Sequence, residues 1–153
     1  IVSNAGEYRK KTDPNNGVVY FGGEYARHSS GQKFHGTNPD FIYEELQQAF
    51  ALLSDKDSNP LRTSILFYQK FVRIHPFYDA NGRIARLIIT IYLRYHGYYV
   101  QWAKLEQTKK NKFLDKLNEC HEREDQYNFE QYFEYLYNFW KQFVIQKDEL
   151  ESF

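Results

Sequence analysis

The sequence lacks most of the features that would place a chain of 153 residues in a specialised class of protein. It has one cysteine, Cys120, so no internal disulfide can form, and we expect this thiol to be inert in a reducing compartment. It has no run of about 18 apolar residues, which argues against a transmembrane helix. No secretory signal is visible after Ile1. These absences predict a cytoplasmic protein with no membrane partner.

The chain also has no net charge, with 20 basic against 20 acidic residues. Proteins that bind nucleic acid are normally basic, so we expect no nucleic-acid partner. The charge is nevertheless unevenly spread. Residues 61–96 carry six basic residues and a single acid, Asp79, for a net charge of +5, whereas residues 115–153 carry a net charge of −6. A cationic segment inside a neutral chain indicates a local anion site rather than a surface for a charged polymer.

Methionine is absent, and the sequence opens on Ile1, so we expect the chain to be part of a longer protein or a processed one. Its length and its 42% apolar content are those of one ordinary globular domain, which we place over residues 1–153. Aromatic residues are unusually frequent, at 19%, and their helical spacing near the C-terminus predicts core packing.

The pattern of apolar and turn-forming residues predicts a mostly α-helical bundle that carries one small β-hairpin. A strong turn signal at residues 13–17 precedes a short β-prone run at 18–21, whose candidate partner strand is 32–35. We therefore predict a hairpin over about residues 17–36. Apolar residues then recur at helical spacing, and the predicted helices cover about residues 40–53, 61–75, 81–96, 106–123 and 128–144.

The chemically informative stretch is HPFYDANGRIAR, at residues 75–86. One helix ends at His75 and a new helix begins near Asn81. A helix N-terminus presents free N–H groups and the positive end of a dipole, which together bind anions. Arg83 and Arg86 are three residues apart on one helix face, and two guanidinium groups beside exposed amides form a cradle for a polyphosphate.

Two further side chains complete this set. Asp79 is a single carboxylate at the edge of the cradle, and one carboxylate with phosphate oxygens is how Mg²⁺ is usually held in nucleotide sites. His75 titrates near neutrality and can accept a proton from an attacking hydroxyl. The residues therefore suggest transfer of part of a magnesium nucleotide to a hydroxyl. Without the rest of the motif, His75 reads as a residue that ends a helix, Asp79 as a helix cap, and the two arginines as a solvated face. The other histidines show no metal-ligand spacing, and we predict them to be structural: His28, His35, His96 and His121.

The stretch resembles the signature of the Fic (filamentation induced by cAMP) family, which reads HPFx-acid-GNGRxxR. Residues 6–9, Gly-Glu-Tyr-Arg, resemble the family's Gly-x-aromatic-Arg segment, and residues 18–23, VVYFGG, resemble the start of its flap. The resemblance implies a helical core with a β-hairpin flap beside the active site. It also implies transfer of AMP from ATP to a Tyr, Thr or Ser hydroxyl of a target protein, with release of pyrophosphate.

The resemblance assigns a role to each motif residue. It makes His75 the general base and gives Mg²⁺ to Asp79. The anion hole and the phosphate ligands are, by the same resemblance, Ala80, Asn81, Gly82, Arg83 and Arg86. The flap would dock the target segment as an added strand, through Val18, Val19, Tyr20 and Phe21.

The sequence departs from the family pattern at Ala80, where the family has glycine. Alanine also occurs there in the related Doc branch, which transfers phosphate, so phosphotransfer stays an alternative. That branch has lysine at the position of Gly82, which favours AMP transfer. A catalytically silent nucleotide-binding module is the third interpretation.

Regulation is the second departure. Many members carry an inhibitory helix with the pattern S/T-x-x-x-E-G/N, whose glutamate pairs with the second motif arginine. The only residues at that spacing are Ser3 and Glu7, and Glu7 already belongs to another element. We expect inhibition to come from an antitoxin-like protein, from residues missing before Ile1, where the family usually has further helices, or from neither, in which case the domain is not inhibited. Members of this type also suggest a bacterial source.

Overall fold

The structure is a computed structural model, and it describes residues 6–21, 33–108, 110–124 and 127–148. Within these residues the chain forms six α-helices and two pairs of short antiparallel strands. The helices are α1 (Ile42–Leu53), α2 (Pro60–Ile74), α3 (Asn81–Tyr95), α4 (Trp102–Thr108), α5 (Lys110–Glu122) and α6 (Phe129–Trp140). The strands are β1 (Tyr20–Phe21), β2 (Phe34–His35), β3 (Tyr98–Val100) and β4 (Val144–Gln146). The predicted helical fold with a small hairpin is confirmed.

The two central helices, α2 and α3, begin and end where local chemistry dictates. The side chain of Asn59 accepts hydrogen bonds from the first backbone N–H groups of α2, and Pro60 occupies the first turn, where its missing N–H costs nothing. Pro76 disfavours helical geometry at His75, so α2 stops there. Gly97, at φ +87°, follows the end of α3 in a conformation that glycine adopts without strain.

The core lies between α2 and the helices around it. Trp140 of α6 is fully buried, and its indole N–H donates to the hydroxyl of Ser64 on α2 over 3.2 Å. Cys120 of α5 is buried in the same core, and this burial raises the pKa of its thiol to about 12. On the last helix, Phe133, Phe139 and Trp140 are buried in the core, as the helical spacing of aromatic residues predicts, whereas Tyr135 is exposed. The buried core members on α2 and α3 are Ile65, Phe67, Tyr68, Phe71, Ile74, Ala85, Ile89 and Leu93.

The hairpin is formed by β1 and β2, with Tyr20 opposite His35 and Phe21 opposite Phe34. These strands lie within the two predicted runs, which confirms both of them. The connecting residues 22–32, including the predicted structural His28, lie outside the described residues. Phe21 and Phe34 face inward, and their rings stack 5.7 Å apart.

The C-terminal part of the prediction is wrong in two places. The last helix was expected to reach Val144, but α6 ends at Trp140, and after a short 3₁₀ turn the chain forms β4 against β3. Helical spacing of aromatic residues cannot show whether residues 144–146 continue the helix or form a strand, because strand formation depends on pairing with β3, which is far away in sequence. The fourth predicted helix, over 106–123, is two helices, α4 and α5, and α4 already begins at Trp102.

None of the described helices has both the length and the apolar character that crossing a membrane requires.

Candidate active site

His75 ends α2 in a left-handed conformation, with φ 52° and ψ 60°. This conformation costs a residue with a Cβ about 1 kcal/mol or more, so surrounding contacts must hold it. The backbone N–H of His75 donates to the carbonyl of Phe71 over 3.0 Å, and its own carbonyl accepts from the Arg9 guanidinium over 2.7 Å. The predicted catalytic side chain therefore leaves the helix in a direction fixed by its backbone.

The imidazole of His75 is covered by the flap. The Phe21 ring stacks on it with 5.3 Å between centroids and 18° between planes. Burial lowers the pKa of His75 to about 4, and the charge of Arg9 acts in the same direction. The carbonyl of Val72 acts in the opposite direction, although no hydrogen bond of normal geometry reaches the buried Nδ1 atom. His75 is therefore neutral near pH 7, which is the form that can accept a proton.

A second histidine, His121 of α5, also packs against the aromatic residues of the flap. Its ring meets Phe21 edge-on at 5.1 Å and Phe34 at 6.0 Å. Burial lowers the pKa of His121 well below its usual value, and its Nδ1 lies 3.3 Å from the side-chain nitrogen of Gln69. Phe21 thus contacts two neutral histidines. His121 is one of the histidines that the sequence predicts to be structural, and no local pattern connects it with the motif.

The loop of residues 76–80 is closed by the side chain of Asn81, which is 3% exposed. Its Oδ1 accepts from the backbone N–H of Phe77 over 3.0 Å, and its Nδ2 donates to the carbonyl of the same residue over 2.9 Å. Both ends of the amide are therefore used inside the loop. What Asn81 can offer an anion is its backbone N–H at the start of α3.

Ala80 adopts φ 67° and ψ 12°, in the left-handed region that favours glycine. Alanine therefore replaces the family glycine at a position whose backbone conformation is strained for a residue with a methyl group. Its N–H donates to Oδ1 of Asp79 over 2.8 Å, while Oδ2 of that carboxylate lies 3.6 Å from the Arg83 guanidinium. Gly82 is less constrained, since an added Cβ would meet only the Tyr68 hydroxyl, at 3.8 Å.

The two motif arginines have different surroundings. The side chain of Arg83 is 78% exposed, and so is most of Asp79. Arg86 is mostly covered, because its guanidinium pairs with Glu106 and lies 4.8 Å from the Trp102 ring, both on α4. Solvent reaches the start of α3 at Arg83, whereas a phosphate at Arg86 would have to compete with a carboxylate.

Among the described residues, no group of three or more His, Cys, Asp or Glu side chains could enclose a metal ion. Asp79 is an exposed carboxylate beside the free amides of α3. This donor fits Mg²⁺ that is held mainly by phosphate oxygens, because such ions take one or two carboxylates from the protein.

The residues predicted to dock the target segment differ in their exposure to solvent. Val18 and Tyr20 are 41% and 56% exposed, whereas Phe21 is buried on His75. Val19 accepts a hydrogen bond from the N–H of Gly36 through its carbonyl, over 3.1 Å. A cavity of about 390 Å³ borders Val18, and a second, of about 540 Å³, lies between β2, α1 and α2. Both flank the flap rather than the start of α3.

Comparisons with known proteins give one family. The sequence profile of the Fic/DOC family matches residues 3–93. The protein adenylyltransferase fic-1 of Caenorhabditis elegans is 29% identical over 69 residues, which cover 43% of this chain and 14% of that protein. The fic-1 of Caenorhabditis briggsae is 30% identical over a segment with the same coverage. The chain thus matches only a small part of the length of these curated relatives.

A solved structure of a Fic domain containing signaling protein from Bacteroides thetaiotaomicron superimposes with a TM-score of 0.58 at 25% identity. The superposition covers 87% of this chain and 50% of that one. The profile match extends over more than half of the chain and contains both the flap strands and the loop between α2 and α3. The chain belongs to the Fic/DOC family.

Proposed function

We propose that this protein transfers AMP from magnesium-ATP to a Tyr, Thr or Ser hydroxyl of a target protein. The observation that carries the proposal is the closed loop between α2 and α3. It brings a neutral histidine at the end of one helix next to the free amides and arginines at the start of the next. Two curated relatives that match 69 residues of this chain are named protein adenylyltransferases, which supports the same chemistry.

The step follows from the roles of these groups. The hydroxyl oxygen of the target attacks the α-phosphorus of ATP and forms a new O–P bond. The bond between that phosphorus and the bridging oxygen breaks, and pyrophosphate leaves. His75 takes the hydroxyl proton, while the amides of Asn81 and Gly82 and the side chains of Arg83 and Arg86 stabilise phosphate charge. Such transfer needs mainly positioning and charge neutralisation.

Magnesium would be held by Asp79 together with phosphate oxygens, and it would neutralise part of the phosphate charge. Asp79 is exposed at the solvent side of the loop, so it can turn toward such an ion without loss of core packing. Its present contacts are one backbone N–H and a distant arginine, both weak competitors.

The target segment would dock beside the flap. Tyr20 and Val18 are exposed there, and the 390 Å³ cavity at Val18 also borders His35 and Thr37. A segment that adds to the flap as a strand needs backbone complementarity more than a particular sequence. Because the Phe21 ring covers one face of the His75 imidazole, the target hydroxyl would have to approach the imidazole from another side.

The experiment incubates the protein with a lysate and with ATP labelled either at the α-phosphate or at the γ-phosphate. We expect the added protein to produce protein-bound label from α-labelled ATP, and no label from γ-labelled ATP beyond that which the kinases of the lysate produce without it. His75→Ala should abolish the label from α-labelled ATP while ATP still binds, whereas His96→Ala, which alters an exposed histidine at the far end of α3, should leave labelling intact. Absence of label from the wild type under conditions of ATP binding contradicts the proposal, and equal labelling by His75→Ala refutes the base.

Phosphotransfer is the second candidate. The strained alanine at position 80 favours this candidate, because its methyl group would change the position in which phosphates bind at the loop of residues 76–80. The same experiment decides between the two. Label that the added protein transfers from γ-labelled ATP, beyond that of the lysate alone, and not from α-labelled ATP, establishes phosphate transfer.

A further inference from the structure

Arg9 lies in the N-terminal segment, far from the motif in sequence, yet it is 2% exposed and contacts the active site. Its guanidinium donates to four backbone carbonyls. Two belong to the end of α2, those of Ile74 at 3.1 Å and His75 at 2.7 Å. The other two belong to the two sides of the flap base, those of Gly17 at 2.5 Å and Thr37 at 2.7 Å. One side chain therefore joins the catalytic histidine to both ends of the flap.

This contact set suits a guanidinium. Arginine presents five N–H donors in a rigid planar fork, whereas lysine presents three on a flexible stem and cannot reach four carbonyls in fixed directions. The structure leaves room for the fork at Gly36, where an added Cβ would lie 2.7 Å from Nη2 of Arg9 and 3.0 Å from Cβ of His75.

The electrostatics of Arg9 indicate more than stability. Burial lowers the pKa of its guanidinium, and none of the ion pairs among the described residues gives it a carboxylate. A buried cation that is satisfied only by carbonyls is a costly way to hold a fold together, since an apolar residue of similar size avoids the desolvation. What the guanidinium supplies instead is a set of hydrogen bonds with fixed directions, which orient the backbone groups that accept them.

Neighbouring contacts act on the same loop. The backbone N–H of Arg9 donates to the carbonyl of Pro76 over 3.0 Å, and the Tyr8 ring lies 5.5 Å from that of Phe77. The Tyr78 hydroxyl donates to Asp13 over 2.6 Å. These contacts hold residues 76–78, whereas the Arg9 side chain hydrogen-bonds both the backbone of His75 and the two sides of the flap base.

We propose that Arg9 is a positioning residue: its guanidinium fixes His75 against the flap, so the rate of transfer depends on it while nucleotide binding does not. The inference rests on the proposed function, because it takes His75 as the base. The left-handed backbone of His75 is strained, and the hydrogen bond from Arg9 to its carbonyl opposes relaxation of the ring away from Phe21.

The test compares Arg9→Lys and Arg9→Met with Arg62→Met. Arg62 is a matched control on stability, because it pairs with Glu134 and lies over the Phe133 and Tyr137 rings, at the junction of α2 and α6. We expect both Arg9 variants to lower kcat by about 100-fold, as for a misplaced catalytic group, and to keep the Kd for a non-hydrolysable ATP analogue within about threefold. Arg62→Met should lower the melting temperature and keep kcat.

A second readout is independent of activity. The stacked Phe21 ring shifts the ring-proton NMR signals of His75, and these shifts should collapse in both Arg9 variants but persist in Arg62→Met. If the wild type transfers no AMP, the proposed function fails, and the NMR shifts alone decide the role of Arg9. Wild-type shifts in both variants, kcat within about threefold, or failure of both variants to fold where Arg62→Met folds would overturn the inference.

Discussion

The Phe21 ring lies almost parallel to the imidazole of His75, 5.3 Å away, and closes one face of it to solvent. The residue from the flap is thus part of the environment that determines the basicity of the proposed catalytic group. Burial separates the imidazole from water and so disfavours its charged form, and the covered histidine stays neutral until the pH falls to about 4. Movement of the flap would change both access to His75 and its pKa.

Phe21→Ala should therefore raise the pKa of His75 from about 4 toward its ordinary value near 6.5, because the largest cause of the low value is burial. A general base works only when neutral, so the rate falls as pH drops through its pKa. The acid limb of kcat/KM should consequently move to higher pH in the variant. NMR titration of the His75 ring protons measures the same shift without turnover.

Tyr20→Ala is the matched control, since the Tyr20 side chain is next in the strand and points outward. It should leave the His75 titration unchanged. A pKa in Phe21→Ala that stays near 4 would mean that the protein around α2, and not the flap, keeps the imidazole neutral.

Ala80→Gly should stabilise the protein by up to about 1 kcal/mol. The φ of 67° at this position strains a residue with a Cβ, and glycine adopts it freely, although glycine also loses more chain entropy on folding. Urea denaturation measures the change in the free energy of unfolding. Ala85→Gly, at a buried position inside α3, should instead destabilise the protein by about 1 kcal/mol or more. Equal losses in both variants would show that position 80 is not strained.

Gly82→Ala should leave folding stability unchanged or slightly higher, while nucleotide binding weakens. In the ligand-free protein the added methyl meets only the Tyr68 hydroxyl, at an ordinary contact distance, and alanine is the better helix former. A phosphate that approaches the backbone at the start of α3 would instead meet this methyl group. Calorimetric titration with ATP and thermal unfolding of the same samples separate the two effects. Unchanged ATP affinity would place the phosphates elsewhere.

The sequence determines the helix ends at the site more clearly than it determines the contacts there. Pro76 and Gly97 mark where α2 and α3 end, and residues of this kind act locally. The cover of Phe21 on His75 and the pairing of Glu106 with Arg86 join elements that meet only through the tertiary fold. The same holds for β4, whose pairing with β3 ends the last helix early. Motif spacing therefore predicts a set of candidate reacting groups, and it could not reveal what surrounds them.

Glu106→Gln should strengthen ATP binding. In the ligand-free protein the carboxylate of Glu106 pairs with the Arg86 guanidinium, and the resemblance implies that this guanidinium binds the phosphates of ATP. A phosphate that binds Arg86 must first break the ion pair between Arg86 and Glu106. Glutamine keeps the shape of the Glu106 side chain but removes the negative charge that competes with the phosphate. Partly exposed pairs are worth up to about 1 kcal/mol, so we expect a three- to fivefold lower Kd for the ATP analogue, measured by calorimetric titration.

Glu134→Gln is the control for loss of one carboxylate, because Glu134 pairs with Arg62 away from the site, and it should leave the Kd unchanged. Salt provides an independent check. Added salt screens the pair of Arg86 with Glu106 as well as the phosphate contacts, so the ratio of the wild-type Kd to the Glu106→Gln Kd should fall toward one as ionic strength rises. Weaker ATP binding in Glu106→Gln would reverse the interpretation, since Glu106 would then hold Arg86, over the Trp102 ring, in the orientation that phosphate needs.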